Sequence, residues 1–263
     1  MRPRSKAAFI SFLAVISLTM FQDPARAGAW LQKKGHGLLI LSTTMLSGDK
    51  VFDTDGRPFS IPRYNRFDAD AWLEYGLTDQ FTLVLQPALR SVRVAKPYDL
   101  RYTGFGDSSF GLRIGLWSSS DTVFSVQPMV RVPGGPLLAG THVQTEIRLL
   151  YGHSYWLGAW PAFIDTEFAY RFGGGVLPDE AHSDVTLGVR PRPDTMVMAQ
   201  MFGTFAFIRT EGFYASGWEY KAAVSLVWDF ARNWSVQAGG VATIAGANTL
   251  RERGYFAAIW KRF

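Results

Sequence analysis

The chain has 263 residues, 48% hydrophobic and 15% aromatic, with 26 Gly, 13 Pro, no Cys and a formal charge of +5. This length admits one large β domain or two smaller ones. The lack of Cys excludes disulfides and thiolate metal sites, and the positive charge raises a nucleic-acid reading that the N-terminus then removes.

The chain opens on Arg2, Arg4 and Lys6, continues as an apolar run from Ala7 to Phe21, and reaches Ala25-Arg26-Ala27. A basic start, a short apolar stretch and small residues at the two positions read by a signal peptidase describe a secretory signal peptide. Residues 1–27 are therefore expected to be cleaved before Gly28, leaving 28–263 as a single domain. Loss of Arg2, Arg4, Lys6 and Arg26, with Asp23, lowers the charge from +5 to +2. No basic run with interleaved aromatics follows, so nucleic acid is not an expected partner.

Past residue 30 the pattern is alternation with period two, the signature of half-buried strands. Phe67, Ala69, Ala71, Leu73 and Tyr75 alternate with Arg66, Asp68, Asp70, Trp72 and Glu74. Further on, Val143, Ile147, Leu149 and Tyr151 oppose Gln144, Glu146 and Arg148. Next, Ile164, Thr166, Phe168, Tyr170 and Phe172 oppose Asp165, Glu167 and Arg171. The clearest case sets Trp218, Tyr220, Ala222, Val224, Leu226, Trp228 and Phe230 against Glu219, Lys221, Ala223, Ser225, Val227 and Asp229.

Turn signals come in two sizes. Short turns fall at 76–80, 118–121, 156–160, 190–194 and 231–234. Longer Gly/Pro/Asp-rich loops fall at 47–65, 96–107, 133–141, 173–181, 210–217 and 245–252. Five short and six long connections join twelve strands into a meander of hairpins, with both ends of the domain on the short-turn side. An even strand count and this asymmetry of connections predict an all-β fold, a transmembrane antiparallel up-and-down β-barrel of about twelve strands. The longest strictly apolar run after the signal peptide, Tyr255–Trp260, is far below the ~18 residues of a spanning helix.

Alternation alone does not separate a soluble barrel from a membrane one. Two features favour the membrane. Aromatics crowd the short-turn ends of strands: Tyr75, Phe81, Trp117, Trp156, Trp160, Trp228, Phe230, Trp234, Trp260 and Phe263. Aromatic girdles at the membrane interfaces take that placement. The polar face also carries charges of both signs on most strands, which suits a hydrated or ion-paired lumen.

The final strand reads Tyr255, Ala257, Ile259, Lys261, Phe263 in one frame. It is similar to the terminal signal read by β-barrel assembly machinery, with Tyr255, Ile259 and Phe263 as its positions. Lys261 departs from that pattern, and a Lys at an interface can snorkel its ammonium to the headgroups.

The lumen-lining candidates are Asp68, Asp70, Glu74, Arg90, Arg113, Arg131, Glu146, Arg148, Asp165, Glu167, Arg171, Asp184, Arg190, Glu219, Lys221 and Asp229. They either neutralise one another, since an inward charge is paired or wet, or line a narrow polar conduit. The four His are His36, His142, His153 and His182. His182 and Ser183 are adjacent in a strand and point to opposite faces, so they form no dyad with each other. No catalytic residue is assigned and no enzyme activity is expected. The Asp53-Thr54-Asp55-Gly56 stretch reads as an Asp-Gly turn rather than half of a calcium loop, and no metal or cofactor is expected.

Several phrases together resemble one family: GAW and KGHG near residue 30, FDTDGR, LEYGLTDQFTL, GFGDSSFGLR, EIRLLYGHS, FIDTEFAYRFGGG and PDE. They resemble the XagA-like outer-membrane proteins and, more loosely, the transporter-like outer-membrane barrels of phenol-degradation pathways. The resemblance implies a Gram-negative outer-membrane barrel without established catalytic residues. The expected function is a narrow channel or transporter-like barrel for small solutes. The alternative is a non-conducting component supporting exopolysaccharide or adhesin export, surface attachment and biofilm; a lipid-modifying enzyme is a minor third. Expected partners are outer-membrane lipid, the assembly machinery, and exopolysaccharide or a small-molecule solute.

Overall fold

The structure is a computed structural model that describes residues 28–134, 143–173, 178–207 and 216–263. The signal-peptide reading of 1–27, much of the loops read at 133–141, 173–181 and 210–217, and His142 lie outside the described residues.

Twelve staves follow one another. They are β1 (Gly37–Phe52), β2 (Pro58–Gly76), β3 (Phe81–Gln86 and Ala88–Val94), β4 (Arg101–Phe105 and Ser108–Ser118), β5 (Thr122–Val132) and β6 (Gln144–Leu157). The second half comprises β7 (Trp160–Phe172), β8 (Glu180–Arg192), β9 (Thr195–Ala206), β10 (Gly217–Ala231), β11 (Trp234–Ala247) and β12 (Arg253–Arg262). Each pairs antiparallel with its sequence neighbours, and β1 pairs with both β2 and β12, so the sheet closes into a transmembrane barrel. Closure leaves no free edge, which a backbone crossing lipid requires.

Two staves are interrupted. Pro87 divides β3, and it has no N–H to give the ladder. Its carbonyl still accepts from Ala71 N at 3.0 Å. Gly106 and Asp107 divide β4 beside it, with Gly106 N bonded to Ala88 O at 2.9 Å.

Several stretches read as loops are in fact strand. Of the loop expected at 47–65, only 53–57 turns, because Phe52 already pairs with Pro58. Asp53 organises that turn: its carbonyl accepts from Gly56 N at 3.1 Å, and its Oδ1 accepts from Asp55 N and Arg57 N at 2.9 and 2.8 Å. Gly56 takes φ +77°, the left-handed region that glycine enters freely. Similarly, Arg101–Phe105 and the pair Thr249–Leu250 add to the sheet within the loops expected at 96–107 and 245–252. Hairpin strands that project past the bilayer satisfy their backbone groups against each other, so polar composition does not end the pairing.

The exterior carries large apolar side chains along most of the strands' length. Met45, Leu89, Phe168, Val224, Leu226 and Ile244 face outward along the strands. Tyr75, Trp117, Trp156, Trp160, Trp228, Phe230, Trp234 and Phe263 are exposed at the short-turn end, as a girdle requires. Trp260 is the exception to that expectation. It is 3% exposed and points into the barrel, donating Nε1–H to Gln237 Oε1 at 3.2 Å. The reason is parity: Trp260 is one residue out of the frame of Phe263, and adjacent strand residues face opposite sides.

Inside, the two ends of the barrel differ. The short-turn half is filled by apolar side chains: Leu38, Val123, Leu150, Phe163, Met196, Met198, Val227 and Trp260. Into them runs the segment 28–36, which precedes β1 and folds into the lumen. Trp30 meets the Phe163 ring edge-on at 6.1 Å between centroids, and Ala29 is fully buried. The segment's backbone is held by side chains of four staves. Asp165 accepts from Ala29 N (2.6 Å), Ser125 donates to Ala29 O (2.9 Å), Arg113 donates to Trp30 O (2.9 Å), and Thr82 accepts from Gln32 N (2.9 Å). Backbone polar groups sealed from water need such partners.

Candidate functional site: the charged lumen

Towards the long-loop half the apolar filling gives way to charge, and the inward residues of successive staves form ladders. The first ladder runs along β2 to β5. Arg66 and Arg90 both pair with Asp68 at 2.8 Å, Arg90 pairs with Asp107 at 3.0 Å, and Asp107 with Arg131 at 2.8 Å. It continues across the seam: Arg66 lies 3.5 Å from Glu252, which pairs with Lys221 at 3.1 Å, and Lys221 with Glu219 at 3.0 Å.

The second ladder occupies the opposite wall, β6 to β8. Arg148 pairs closely with Glu146, reaches Glu167 at 2.8 Å and lies 3.7 Å from Asp184. Arg171 pairs with Glu146 at 2.7 Å and with Glu180 at 2.5 Å. A third, smaller group nearer the short turns joins Arg190 to Asp229 at 2.6 Å, with Arg262 3.8 Å away.

Two candidates sit deeper. Arg113 is fully buried and pairs with the nearly fully buried Glu74 at 2.8 Å, while Arg113 Nε donates to Gln127 Oε1 at 2.9 Å. Glu74 also accepts from Trp72 Nε1 (3.0 Å) and from Gln32 Nε2 of the inserted segment (2.7 Å). Asp165 is 4% exposed and has no ion-pair partner among the described residues; its polar contact is Ala29 N. Asp70 likewise has no ion-pair partner among the described residues, but it is only half-buried.

All sixteen lumen candidates are thus buried or half-buried and share the parity of the ladders. The ladders also recruit charges absent from that set: Arg66, Asp107, Glu180, His182, Glu252 and Arg262. Arg66 shares the alternation of Asp68 and Asp70, and that signal could have found it. Asp107 and Glu252 sit where the sequence reads as loop, so no alternation marks their face. Among the described residues, acids outnumber bases on the inward face.

Two of the histidines, His153 and His182, are part of hydrogen-bond networks. His182 contacts Glu180 through Nε2 at 3.0 Å and Thr204 through Nδ1 at 3.3 Å, within the second ladder. His153 contacts Thr122 Oγ1 at 2.8 Å beside the short turn at 119–121.

No family model matches the chain and no curated protein matches it. Solved structures do match. The COG4313 outer membrane channel from Pseudomonas putida F1 superimposes with a TM-score of 0.71 at 13% identity, over 92% of this chain and 99% of that one. The fold is that of an outer-membrane β-barrel. The β domain of the Bordetella autotransporter Brka follows with a TM-score of 0.52 at 10% identity, over 88% and 100% of the two chains. The NanC porin gives 0.50 at 7% identity, over 83% and 98%. At such identities the likeness concerns the barrel alone, and the same barrel serves a channel, a porin and an autotransporter domain.

Proposed function

We propose that the chain is a bacterial outer-membrane channel of the narrow, transporter-like kind, passing small hydrophilic solutes along the charged inner wall. The observation that carries the reading is the pair of ion-paired ladders facing each other across the long-loop half of the lumen. A wall of fixed charges lowers the barrier for a hydrated ion or polar solute, and a hydrocarbon wall raises it. The inserted segment 28–36, held by Thr82, Arg113, Ser125 and Asp165, supplies the constriction at the other end. The excess of acids assigns a mild preference for cations. The likeness to the Pseudomonas putida channel and to the NanC porin supports the same reading.

A second reading has its own observation. The apolar filling of the short-turn half, with Trp30 seated in it, suits a barrel that does not conduct. The phrases shared with XagA-like proteins then point to a surface component supporting exopolysaccharide or adhesin export. Planar-bilayer recording separates the two. Stepwise, cation-preferring conductance supports the channel, whereas silent bilayers from folded protein, with loss of surface polymer on deletion, support the surface role. Folded protein that stays soluble without detergent would overturn both.

A further inference from the structure

The outer wall carries a groove that the channel reading does not use. It has a volume of about 870 Å³ and crosses β10, β11, β12, β1, β2 and β3 on the long-loop side. Its outward floor is made of small residues, Ala222, Gly240 and Ala242, between the taller Met45, Phe67 and Tyr255. At its upper margin Arg93, Asn65, Ser47 and Arg253 form one row, each the register partner of the next across adjacent staves. Three inter-strand steps place the two arginine backbones about 14 Å apart. Both side chains are exposed, neither has an ion-pair partner among the described residues, and no carboxylate lines the groove. On the far wall, outward residues of the long-loop end include Tyr170 and Phe172 of β7 and Phe205 of β9. Among the described residues, the outward basic charge of this end lies on the side that carries the groove.

We propose that this groove binds a phosphorylated, multiply acylated glycolipid of the lipid A class, one molecule per barrel. The proposal rests on the outer-membrane reading given above. An apolar channel floored by small residues accepts an acyl chain, and outward guanidiniums at the headgroup level pair with phosphate through charge-assisted hydrogen bonds. The row continues to the exposed Arg101, the register partner of Arg93, which lies 3.7 Å from Asp99. Basic charge thus stands at both ends of the row, with Asn65 and Ser47 between, and fits a headgroup whose phosphates stand at the two ends of a sugar backbone. A single clustered basic patch would suit one phosphate.

Native mass spectrometry of the barrel released from detergent tests this, with bisphosphorylated lipid A, its dephosphorylated form and phosphatidylglycerol as probes. A one-to-one adduct with bisphosphorylated lipid A is expected, weakened about tenfold or more in an Arg93→Ala, Arg253→Ala double variant. Gly240→Leu, which fills the floor and leaves both charges, is expected to weaken it as well. Equal binding of the dephosphorylated lipid, or of phosphatidylglycerol, would overturn the assignment, as would an adduct indifferent to both variants. Cell fractionation of the same strains keeps the failures apart: protein found outside the outer membrane defeats the underlying reading. Protein found in that membrane without an adduct defeats this site alone.

A different observation carries a second inference. Gly28, at φ +84°, lies so close against the Asp165 carboxylate that no side chain fits there. Asp165 has no ion-pair partner among the described residues, and Arg113, the cation that acts on it, is paired with Glu74 at 2.8 Å. The expected signal-peptidase site is the bond immediately before Gly28. The geometry points to the α-ammonium released at Gly28 as the counter-charge of Asp165, so that processing completes the seat of the inserted segment. This rests on cleavage at that bond, which the mass of the mature protein checks directly. With Gly28 first, acylation of its amine in the folded barrel, followed by peptide mass spectrometry, is expected to be at least about tenfold slower than in Asp165→Asn. Equal rates would overturn the pair while leaving the cleavage reading intact, and a mature chain that begins elsewhere would overturn both.

Discussion

Lys261 lies over the Trp234 ring, its Nζ 4.6 Å from the ring centroid. The residue that breaks the apolar frame between Tyr255 and Phe263 therefore has a partner on the neighbouring stave, at the level of the short-turn girdle. A cation–π contact at an exposed site is worth about 0.5–1 kcal/mol, so Lys261→Met is expected to change stability by no more than that. Phe263 does more. Its ring stacks near Tyr75 at 6.5 Å, and its backbone exchanges bonds with Gly37 at 2.8 and 3.0 Å. Deletion of Phe263 is expected to lower the yield of folded barrel in the membrane, read as the heat-modifiable band on gels, and an unchanged yield would show that the terminus is not read during assembly.

The Glu74–Arg113 pair is expected to behave as buried ion pairs do. Glu74→Ala leaves a guanidinium sealed in the lumen and should cost about 3–5 kcal/mol in denaturant titrations of the barrel in detergent. Replacing both partners by apolar residues, Glu74→Leu with Arg113→Met, should recover most of that loss.

Gly152 leaves the hollow into which the inserted Trp30 fits, as Gly188 does for Phe163 of β7. A Cβ on Gly152 would stand 2.6 Å from the Trp30 ring, closer than any real contact allows. Gly152→Ala should therefore displace Trp30, seen as a change in tryptophan fluorescence and, under the channel reading, as larger or noisier conductance steps.

Asp68 and Asp70 point the same way yet should respond differently. Asp68 bridges Arg66 and Arg90, so Asp68→Asn removes one partner from each of two guanidiniums, leaving Glu252 to Arg66 and Asp107 to Arg90, and should lower stability as well as shift ion preference towards anions. Asp70 holds no ion pair among the described residues, so Asp70→Asn should shift ion preference with little loss of stability. Reversal potentials in asymmetric salt, set beside denaturation midpoints, test both.

Val224 is 61% exposed on the outer face of β10. Val224→Arg is expected to cost about 2–4 kcal/mol in a bilayer if it sits near the midplane. A neutral outcome in folding titrations against lipid vesicles would mean that this face does not meet lipid.

The barrel was legible because its rules are periodic. Alternation in Arg66–Tyr75 and Trp218–Phe230 fixes which side chains share a face, and tight turns fix the order of staves. That is also why the sixteen inward candidates share one face. What the sequence hides is non-periodic. The segment 28–36 has no strand pattern, and its place in the lumen depends on side chains as distant as Asp165. Partners such as Asp107 and Glu252 sit in stretches that read as loop, and their face becomes defined only when neighbouring staves are in register. Trp260 shows the limit of counting aromatics without parity: its neighbours Ile259 and Lys261 face out, and it faces in.

The seam between β1 and β12 joins residues more than 200 positions apart, from Leu38 with Arg262 to Ser47 with Arg253. Contacts of such sequence separation are the slowest to form, because the whole intervening chain must give up its freedom first. Until they form, both outer strands present open rows of amide and carbonyl groups that will pair with any passing strand. The time spent unclosed therefore sets the window in which this chain aggregates, and any substitution that slows the last pairing lengthens that window even where the finished barrel is no less stable.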